Sequence, residues 1–305
     1  MKNHFVFAKL SNIDCLGVRI GGAGLGNILF PWSRAIVYAE KNNLPKINTT
    51  WHSIKIGPFL RGELDTRGYN NLFYETNISG IRKFFLLLFG KRIMESDAKE
   101  YELDKSIGPK ILIFSGMGNQ MQDILHDNEI VKKELINITN KEILDQVESF
   151  DGKGVSIHIR MGDFYIPKSE DEIRNGKKNC RLPIEWYVKM IDKIRSYSGK
   201  ELQVNIFSDG SEDDLKDILS INNVKRHYYG SAIADMLAIS KSEILIASNS
   251  TFSLWASYLG RMPTIWFPGT HRFKLFVESN EIFENTIDYS SELPPLLKDN
   301  IDRIL

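Results

Sequence analysis

The second half of the chain alternates short apolar runs with amphipathic segments, and this alternation is the feature that most limits the possible folds. Runs rich in β-branched and aromatic residues predict strands, and the stretches between them predict helices. The predicted strands are 155–160, 203–207, 224–228, 244–247 and 263–267, and the predicted helices are 183–198, 212–220, 231–241 and 251–259. Strands that alternate with helices form a parallel sheet covered on both faces. We therefore predict a Rossmann-like α/β domain.

The first half is less regular, although it also mixes strands with helices. The predicted elements are a strand at 16–20, a glycine-rich loop, a helix to about residue 43, a strand at 111–114 and a helix at 128–149. The turn-forming residues 151–154 predict a boundary. We therefore predict an N-terminal αβ domain at 1–150 and a Rossmann-like domain at 151–305, whose last helix either stays in that domain or crosses back to the first.

The composition argues against several classes of protein. The 305 residues carry 39 basic and 39 acidic side chains, so the charge balance indicates no nucleic-acid partner. Cys15 and Cys180 are too few for a disulfide framework and predict reduced thiols. We find neither a secretory leader nor an apolar run of the roughly 20 residues that span a bilayer. These features predict a soluble, cytoplasmic protein.

Residues 81–92 give the strongest indication of membrane contact. Their apolar core is flanked by Arg82-Lys83 and Lys91-Arg92, a pattern that suits the surface of an anionic membrane. The alternative is a buried helix or strand with charged ends, which the shortness of the apolar run favours. Peripheral contact of this segment with the inner face of a membrane is the other alternative.

Polar residues follow the first predicted strand of the second half. His158 and Arg160 lie two residues apart and therefore project from the same side of the strand, and Asp163 follows Gly162 at its carboxyl end. Ligands of open α/β sheets bind at that end, and a guanidinium fixed there suits a phosphate. The alternative is a buried polar network without a ligand.

Two other segments place backbone amides at the start of a helix. The loop 21–27 lacks the third glycine of a dinucleotide fingerprint, because Asn27 stands there, so a dehydrogenase is disfavoured. Its glycines allow close approach to a ligand, or simply a tight turn. In 249–252, Ser250 or Thr251 can cap a helix whose N-terminus also suits a phosphate.

Three segments together resemble one family. Residues 158–163 are similar to the His-x-Arg-Arg-x-Asp motif of the fucosyltransferase superfamily, especially the α-1,2-fucosyltransferases of glycosyltransferase family 11. Residues 21–30 resemble that family's opening glycine loop, and residues 247–256 its Asn-Ser-Thr-Phe-Ser-Trp-Trp segment. The resemblance implies a GT-B-like fold, with two facing Rossmann-like domains and a cleft between them. It also implies inverting transfer of L-fucose from GDP-fucose to a sugar hydroxyl.

The resemblance implies roles for particular residues. Arg160 would contact the diphosphate, Asp163 would bind the donor or act as general base, and His158 would orient its neighbours. The implied donor-binding residues are Gly22, Gly24, Gly26, Asn27, Asp209, Asp235, Asn249, Ser250, Thr251 and Phe252. By their positions alone, Asp209 equally suits a turn, Asp235 the start of a helix and Phe252 simple packing.

The chain departs from the family pattern at three positions. Ile28 replaces a glutamine, Met161 replaces the second arginine and Leu254 replaces the first tryptophan of a pair. The loss of polar groups at Ile28 and Met161 leaves two alternatives open. One is a GT-B transferase that uses another nucleotide sugar, and the other is a non-catalytic relative that binds glycans or nucleotides.

The sequence also gives expectations about metal ions and about the acceptor. The sequence contains no Asp-x-Asp motif and no Cys/His cluster with zinc spacing, so we predict no metal and no cofactor, with GDP-fucose as donor substrate. The acceptor would be an oligosaccharide or a lipid-linked glycan, such as a bacterial O-antigen unit. Residues 51–69 are an acceptor-side candidate, and a charged solvated loop is equally consistent with them.

Overall fold

The structure, a computed structural model, describes residues 3–15, 18–54, 69, 71–74, 76–103, 107–271 and 273–304. The chain divides into two compact units, Met1–Leu144 and Asp145–Leu305. The division predicted after residue 150 lies a few residues further along. The acceptor and donor roles assigned to the two sides stay predictions.

The first unit is built on a parallel sheet of four strands. The strands described in this unit, which include those of a second, smaller sheet, are β1 (His4–Lys9), β2 (Ile13–Cys15), β3 (Val18–Ile20), β4 (Lys46–Ile47), β5 (Ser53–Ile54), β6 (Lys91–Met94) and β7 (Lys110–Ser115). The order in the sheet is β4-β1-β7-β6, and β2, β3 and β5 form a separate small sheet. Phe5, Phe7, Ile47, Ile111 and Ile113 form an apolar core between the four strands and the helices.

The helices of this region are α1 (Leu25–Asn42), α2 (Gly80–Phe89), α3 (Ala98–Leu103), α4 (Asn128–Ile138) and α5 (Lys141–Glu148). The single helix predicted at 128–149 is wrong, because it is interrupted at Thr139 and Asn140. The Asn140 backbone N–H donates to the Leu72 carbonyl at 2.9 Å, and its side-chain oxygen accepts from the Glu142 N–H at 3.0 Å. Asn140 therefore caps α5 and ties the break to the 71–72 turn.

Helix α2 is apolar on both sides. Leu86 and Leu87 pack on the core of the four-stranded sheet. The opposite face is exposed and carries Ile81, Phe84, Phe85, Leu88 and Phe89. The buried alternative for residues 81–92 therefore holds for one face of the helix only.

The second unit contains a parallel sheet of six strands. These are β8 (Val155–Ile159), β9 (Val204–Ser208), β10 (Val224–His227), β11 (Ile244–Ile246), β12 (Thr264–Trp266) and β13 (Glu284–Thr286). Their order is β10-β9-β8-β11-β12-β13, so the direction of winding reverses between β8 and β11. This is the order of a doubly wound Rossmann-type sheet, whose ligands bind at the reversal. The predicted α/β class and the parallel sheet are confirmed.

The helices of the second unit are α6 (Glu170–Arg174), α7 (Ile184–Ser198), α8 (Lys216–Leu219), α9 (Ala232–Ile239), α10 (Thr251–Gly260) and α11 (Pro295–Ile304). Helix α8 is shorter than the predicted 212–220, because Ser211 and Asp214 close a turn before it: the Ser211 hydroxyl donates to the Asp214 carboxylate at 2.7 Å. The last helix, α11, packs on the core of this unit through Leu297 and Ile301.

Candidate functional site

The predicted polar residues of the second unit lie around the reversal of its sheet. His158 is the next-to-last residue of strand β8, Arg160 and Asp163 follow that strand, Asp209 follows β9 and residues 248–253 follow β11. The carboxyl ends of parallel strands meet at one edge of a sheet. The topology therefore places these groups where a doubly wound fold binds its ligand.

Arg160 is the centre of this cluster. Its Nη2 lies 2.7 Å from Asp163 Oδ1, and its Nη1 lies 2.5 Å from Asp209 Oδ2. The Arg160 side chain keeps 24% of its surface exposed, so it is accessible to a ligand. One guanidinium thus contacts two carboxylates.

A close backbone approach fixes Asp209 against this loop. Its Oδ1 accepts from the Met161 N–H at 2.8 Å. A Cβ on Gly162 would lie only 2.4 Å from its Oδ2, so a side chain at 162 would push the carboxylate away. The Met161 side chain is buried in the core. In this chain a packing group therefore stands where the family pattern has a second cation.

Arg181 was not found by sequence reasoning, yet it fastens the same loop. Its Nε donates to the carbonyls of Met161 at 3.1 Å and Phe164 at 3.3 Å, and its Nη2 donates to the carbonyl of Gly162 at 3.1 Å. The Arg181 N–H also donates to the Tyr165 carbonyl at 2.9 Å. No sequence pattern indicated this contact, because the partners lie up to 20 positions apart.

His158 is buried beneath the cluster. Its Nδ1 lies 2.7 Å from Ser253 Oγ and 3.0 Å from Ser248 Oγ, and the Phe252 ring stacks on it with centroids 4.6 Å apart. Burial, assisted by the charge of Arg160, lowers the pKa of His158 to about 3. The imidazole is therefore neutral near pH 7, which suits an orienting role better than proton transfer.

Residues 249–252 mainly organise the start of α10. The Ser250 hydroxyl accepts from the Phe252 N–H at 3.1 Å, and Asn249 Nδ2 donates to the Lys177 carbonyl at 3.0 Å. A small pocket lies beside this helix start. It is lined by Asn249, Ser250, Thr251, Leu254, Trp266, Thr270, His271 and Phe273.

Asp235 lies apart from the Arg160 contacts. It sits in the first turn of α9, after the edge strand β10, and its Oδ1 accepts from the Tyr229 N–H at 2.8 Å. Burial raises the pKa of this carboxyl to about 7. Such a carboxyl changes charge near neutral pH.

The glycine loop of the first unit contains two left-handed residues, Gly21 and Gly22, with φ of 69° and 103°. Gly24 caps α1 without a side-chain bond, and Gly26 and Asn27 lie in the helix rather than in the loop. Arg19, fully buried and not found by sequence reasoning, donates from Nη1 to the Gly21 carbonyl at 2.8 Å. A part for this loop in donor binding stays a prediction.

The structure describes only part of the acceptor-side candidate, residues 51–69. Lys55, Arg61, Glu63, Asp65 and Arg67 of the acceptor-side candidate lie outside the described residues. Trp51 of that segment is buried, and its ring packs on Phe73 with centroids 4.1 Å apart.

The described residues contain neither a membrane-spanning helix nor a group of metal-ligand side chains. In the part of the chain that the structure describes, no helix combines the length and apolar character that crossing a bilayer requires. Over the same residues, no three His, Cys, Asp or Glu side chains are grouped as metal ligands would be. The metal-free site stays a prediction.

A doubly wound α/β unit with a guanidinium, two carboxylates and a capped helix start at its reversal belongs to the class of folds that bind nucleotides and their derivatives. The chain belongs to glycosyl transferase family 11, whose family model matches residues 110–271. This match confirms the family resemblance and includes the 154–163 and 247–256 segments, whereas the glycine loop lies outside it.

Solved structures give more distant likenesses. The fucosyltransferase NodZ from Bradyrhizobium is 15% identical, with 87% of this chain and 96% of that chain covered and a TM-score of 0.48. POFUT1 in complex with GDP is 12% identical, with 86% and 97% covered and a TM-score of 0.48. No curated protein matches the chain. At these distances the likenesses assign no substrate.

Proposed function

We propose that the protein transfers L-fucose from GDP-fucose to a sugar hydroxyl, inverting the anomeric centre and forming an α-1,2 linkage. The observation that carries this proposal is the accessible guanidinium of Arg160 at the reversal of the sheet. A guanidinium matches the geometry of a diphosphate and stabilises the charge that develops on the leaving GDP. Membership of glycosyl transferase family 11 supports the same reaction class.

The reaction is a single displacement. The acceptor oxygen attacks the anomeric carbon, the bond from that carbon to the GDP oxygen breaks, and a base takes the hydroxyl proton. When the diphosphate binds Arg160, it displaces a carboxylate that the guanidinium now holds. Asp163 is the more exposed of the two partners and becomes the base, whereas Asp209 stays bonded to the Met161 N–H.

Three further segments would supply the remaining donor contacts. The N-terminus of α10, with Ser250 and Thr251, would bind phosphate with the help of the helix dipole. Asp235 has one backbone N–H partner and would accept from the guanine base or the ribose. Gly22 and Gly24 would let the glycine loop approach the donor closely.

Calorimetry without added metal tests the donor. We expect micromolar binding of GDP and GDP-fucose, and none of UDP or dTDP. Arg160→Ala should reduce GDP affinity at least about tenfold and abolish transfer, since it removes a charge-assisted contact. Arg303→Ala changes an exposed arginine on α11 and is the matched control.

Three results would decide against this assignment. Wild-type GDP affinity in a folded Arg160→Ala protein would remove Arg160 from the donor site. Binding of UDP or dTDP in preference to GDP would favour a transferase for another nucleotide sugar. GDP-fucose binding without transfer or hydrolysis would favour a non-catalytic relative.

A second part of the proposal concerns the acceptor, which we take to be a lipid-linked glycan of a bacterial surface polysaccharide. The exposed apolar face of α2 is bordered by Arg82, Lys91 and Arg92, which complement anionic lipid. An apolar helix face rimmed by cations suits the plane of a membrane interface. We propose that α2 holds the enzyme at the cytoplasmic surface of a membrane.

Vesicle sedimentation tests this contact. The protein should bind vesicles that contain anionic phosphatidylglycerol more tightly than vesicles of phosphatidylcholine alone. Phe85→Asp should abolish that binding, whereas Ile136→Asp changes an exposed apolar residue of α4 and should leave it unaltered. Equal binding by the two variants would contradict a role for α2.

A further inference from the structure

The loop after β8 turns three of its carbonyl groups toward one guanidinium. Arg181 Nε donates to the carbonyls of Met161 and Phe164, and Arg181 Nη2 donates to the carbonyl of Gly162. Partly buried carbonyl oxygens need such donors, because an unmade hydrogen bond costs their desolvation. The planar fork of an arginine supplies donors in two directions at once. Arg181 therefore fixes the backbone that directly follows Arg160.

Arg181 is itself anchored from the core of the second unit. Its backbone N–H donates to the Tyr165 carbonyl at 2.9 Å, and its neighbours Cys180 and Leu182 are both buried. Its Nη1 lies 3.7 Å from Asp214 Oδ1, and its side chain is 26% exposed. The guanidinium is therefore a fixed support for the loop rather than a solvated surface charge.

Gly162 is the point at which this support reaches the charged cluster. A Cβ built on Gly162 would lie 2.4 Å from Asp209 Oδ2 and 3.5 Å from Arg160 Cζ. The carbonyl of the same residue accepts from Arg181 Nη2 at 3.1 Å. A shift of this peptide would therefore change the space available to both members of the ion pair. The position of the Arg160 guanidinium thus depends on the hydrogen bonds that Arg181 makes.

A second arginine holds the loop that carries Asp209. Arg226 lies on β10, and its Nη2 donates to the carbonyls of Ser208 at 3.2 Å and Gly210 at 2.7 Å. These two residues flank Asp209, so its backbone is held independently of Arg181. Loss of the Arg181 side chain would therefore displace the loop of Arg160 relative to a carboxylate that stays in place.

We propose that Arg181 is a positioning residue of the donor site, which aims the Arg160 guanidinium at the diphosphate without contacting the donor itself. A group that is held in place before binding loses less entropy when the ligand arrives. Met161 replaces the second arginine of the family pattern, and Arg181 brings a guanidinium to the carbonyl of that same residue from 20 positions away. This inference rests on the proposed function and adds a residue that acts through Arg160.

Arg181→Gln in the whole chain tests this role by calorimetry with GDP. We expect GDP affinity to fall about fivefold, less than in Arg160→Ala, because the Arg160 guanidinium is displaced rather than removed. The matched control is Arg195→Gln. Arg195 Nε and Nη2 donate to the Leu202 carbonyl at 3.2 Å and 2.6 Å, before β9 and at the opposite edge of the same sheet. Both variants should lower the thermal midpoint, but only Arg181→Gln should weaken GDP binding.

A double-mutant cycle distinguishes positioning from a general effect on the fold. If Arg181 acts through Arg160, Arg181→Gln should change GDP affinity by less than about twofold in a protein that already carries Arg160→Ala. Arg181→Lys keeps the charge, but one ammonium cannot reach the partners of both Nε and Nη2. Its GDP affinity should therefore stay at least about threefold below wild type. The lysine variant also provides the measurement if the glutamine variant does not fold.

The outcomes separate this inference from the proposed function. A wild-type protein that does not bind GDP, or a folded Arg160→Ala protein with wild-type affinity, would overturn the proposed function. Unaltered GDP affinity in Arg181→Gln, or equal weakening in Arg195→Gln, would overturn the positioning role alone. Additive losses in the double variant would mean that Arg181 acts on the donor directly or through the fold. Wild-type affinity in Arg181→Lys would mean that charge alone matters, and either of these results would also overturn the positioning role.

Discussion

Helices α1 and α10 begin in the same kind of place but are organised by different means. Each starts after a short strand and a loop, and each has its N-terminus proposed to approach the donor. Helix α1 is capped by Gly24, with no side-chain bond and no acidic residue in its first turn. Helix α10 is capped by the Ser250 hydroxyl, and its Ser253 is buried against His158.

The loop before α1 is held by its backbone conformation, whereas the loop before α10 is held by side-chain hydroxyl groups. At α1 the shape of the loop depends on the left-handed Gly21 and Gly22 and on buried Arg19 beneath them. At α10 it depends on hydroxyl groups that bond to backbone amides and to an imidazole. We therefore expect α1 to be sensitive to an added Cβ and α10 to the loss of an oxygen atom.

The largest effect is expected at Gly22. A Cβ there would lie 2.4 Å from Arg19 Nη1 and 3.3 Å from the Leu10 carbonyl oxygen, at a φ of 103°. Gly22→Ala should reduce the free energy of unfolding by about 3 kcal/mol, because strain and displacement of a buried cation add. Gly24→Ala, whose Cβ meets nothing within 4 Å, should cost less than about 1 kcal/mol. Equal losses in urea titrations would contradict this account.

The next prediction concerns the pH dependence of stability, to which two buried titratable groups contribute with opposite sign. The pKa of His158 is lowered to about 3, so the unfolded chain takes up this proton first, and stability falls as pH drops below 6.5. The pKa of Asp235 is raised to about 7, so the folded protein keeps this proton, and stability falls as pH rises from about 4 to 7. Each contributes a slope of about 1.4 kcal/mol per pH unit within its window, with opposite sign.

Two variants should therefore tilt the profile in opposite directions between pH 4 and 6.5. His158→Gln should leave the Asp235 slope, so that stability decreases with rising pH. Asp235→Asn should leave the His158 slope, so that stability decreases with falling pH. Denaturant titrations across this range check both, and parallel profiles would show that these two groups do not control it.

A smaller effect is expected from the helix caps themselves. Ser250→Ala should cost about 1 kcal/mol of stability, as the loss of an N-cap hydroxyl usually does. Ser231→Ala removes a similar cap from α9, where the hydroxyl accepts from the Ala234 N–H, and should cost about as much. In calorimetry, only Ser250→Ala should also weaken GDP-fucose binding. Equal weakening by both variants would mean that the capping effect is general.

The smallest effect should run in the opposite direction. Gly24→Ser adds a capping hydroxyl at an extended residue with open space around its Cβ, so it should stabilise α1 by a few tenths of a kcal/mol. If the glycine serves close approach of the donor, the same variant should weaken GDP-fucose binding. A more stable protein with unchanged binding would leave the loop a structural turn.

Sequence reasoning was effective where the relevant residues are adjacent in the chain. Five strands of the six-stranded sheet could be anticipated from short runs rich in β-branched and aromatic residues, and β8 was placed within one residue, whereas β13 was missed. The cluster of His158, Arg160 and Asp163 could be singled out because strand periodicity relates neighbouring side chains. Whether these residues act on a donor stays a prediction.

The rest depends on contacts between residues distant in sequence. Arg19 and Arg181 acquire their roles from carbonyl groups that the fold brings to them, and a pattern of residue types does not reveal a carbonyl's direction. Burial of residues 81–92 was favoured because their apolar run is short, yet α2 packs only one of its two apolar faces on the core of the four-stranded sheet. Asn140 interrupts a helix because a distant turn offers it a better partner.

The position of Arg160 between two carboxylates has a consequence for competing anions. Asp163 and Asp209 are tethered within 2.7 Å of the guanidinium, so they compete for it at a high effective concentration. Inorganic phosphate or sulfate makes no other contacts, so it would rarely replace these carboxylates at the guanidinium. An anion attached to a base and a sugar brings further contacts with it. Under the proposed function, the two carboxylates would therefore favour the donor over simple anions at Arg160.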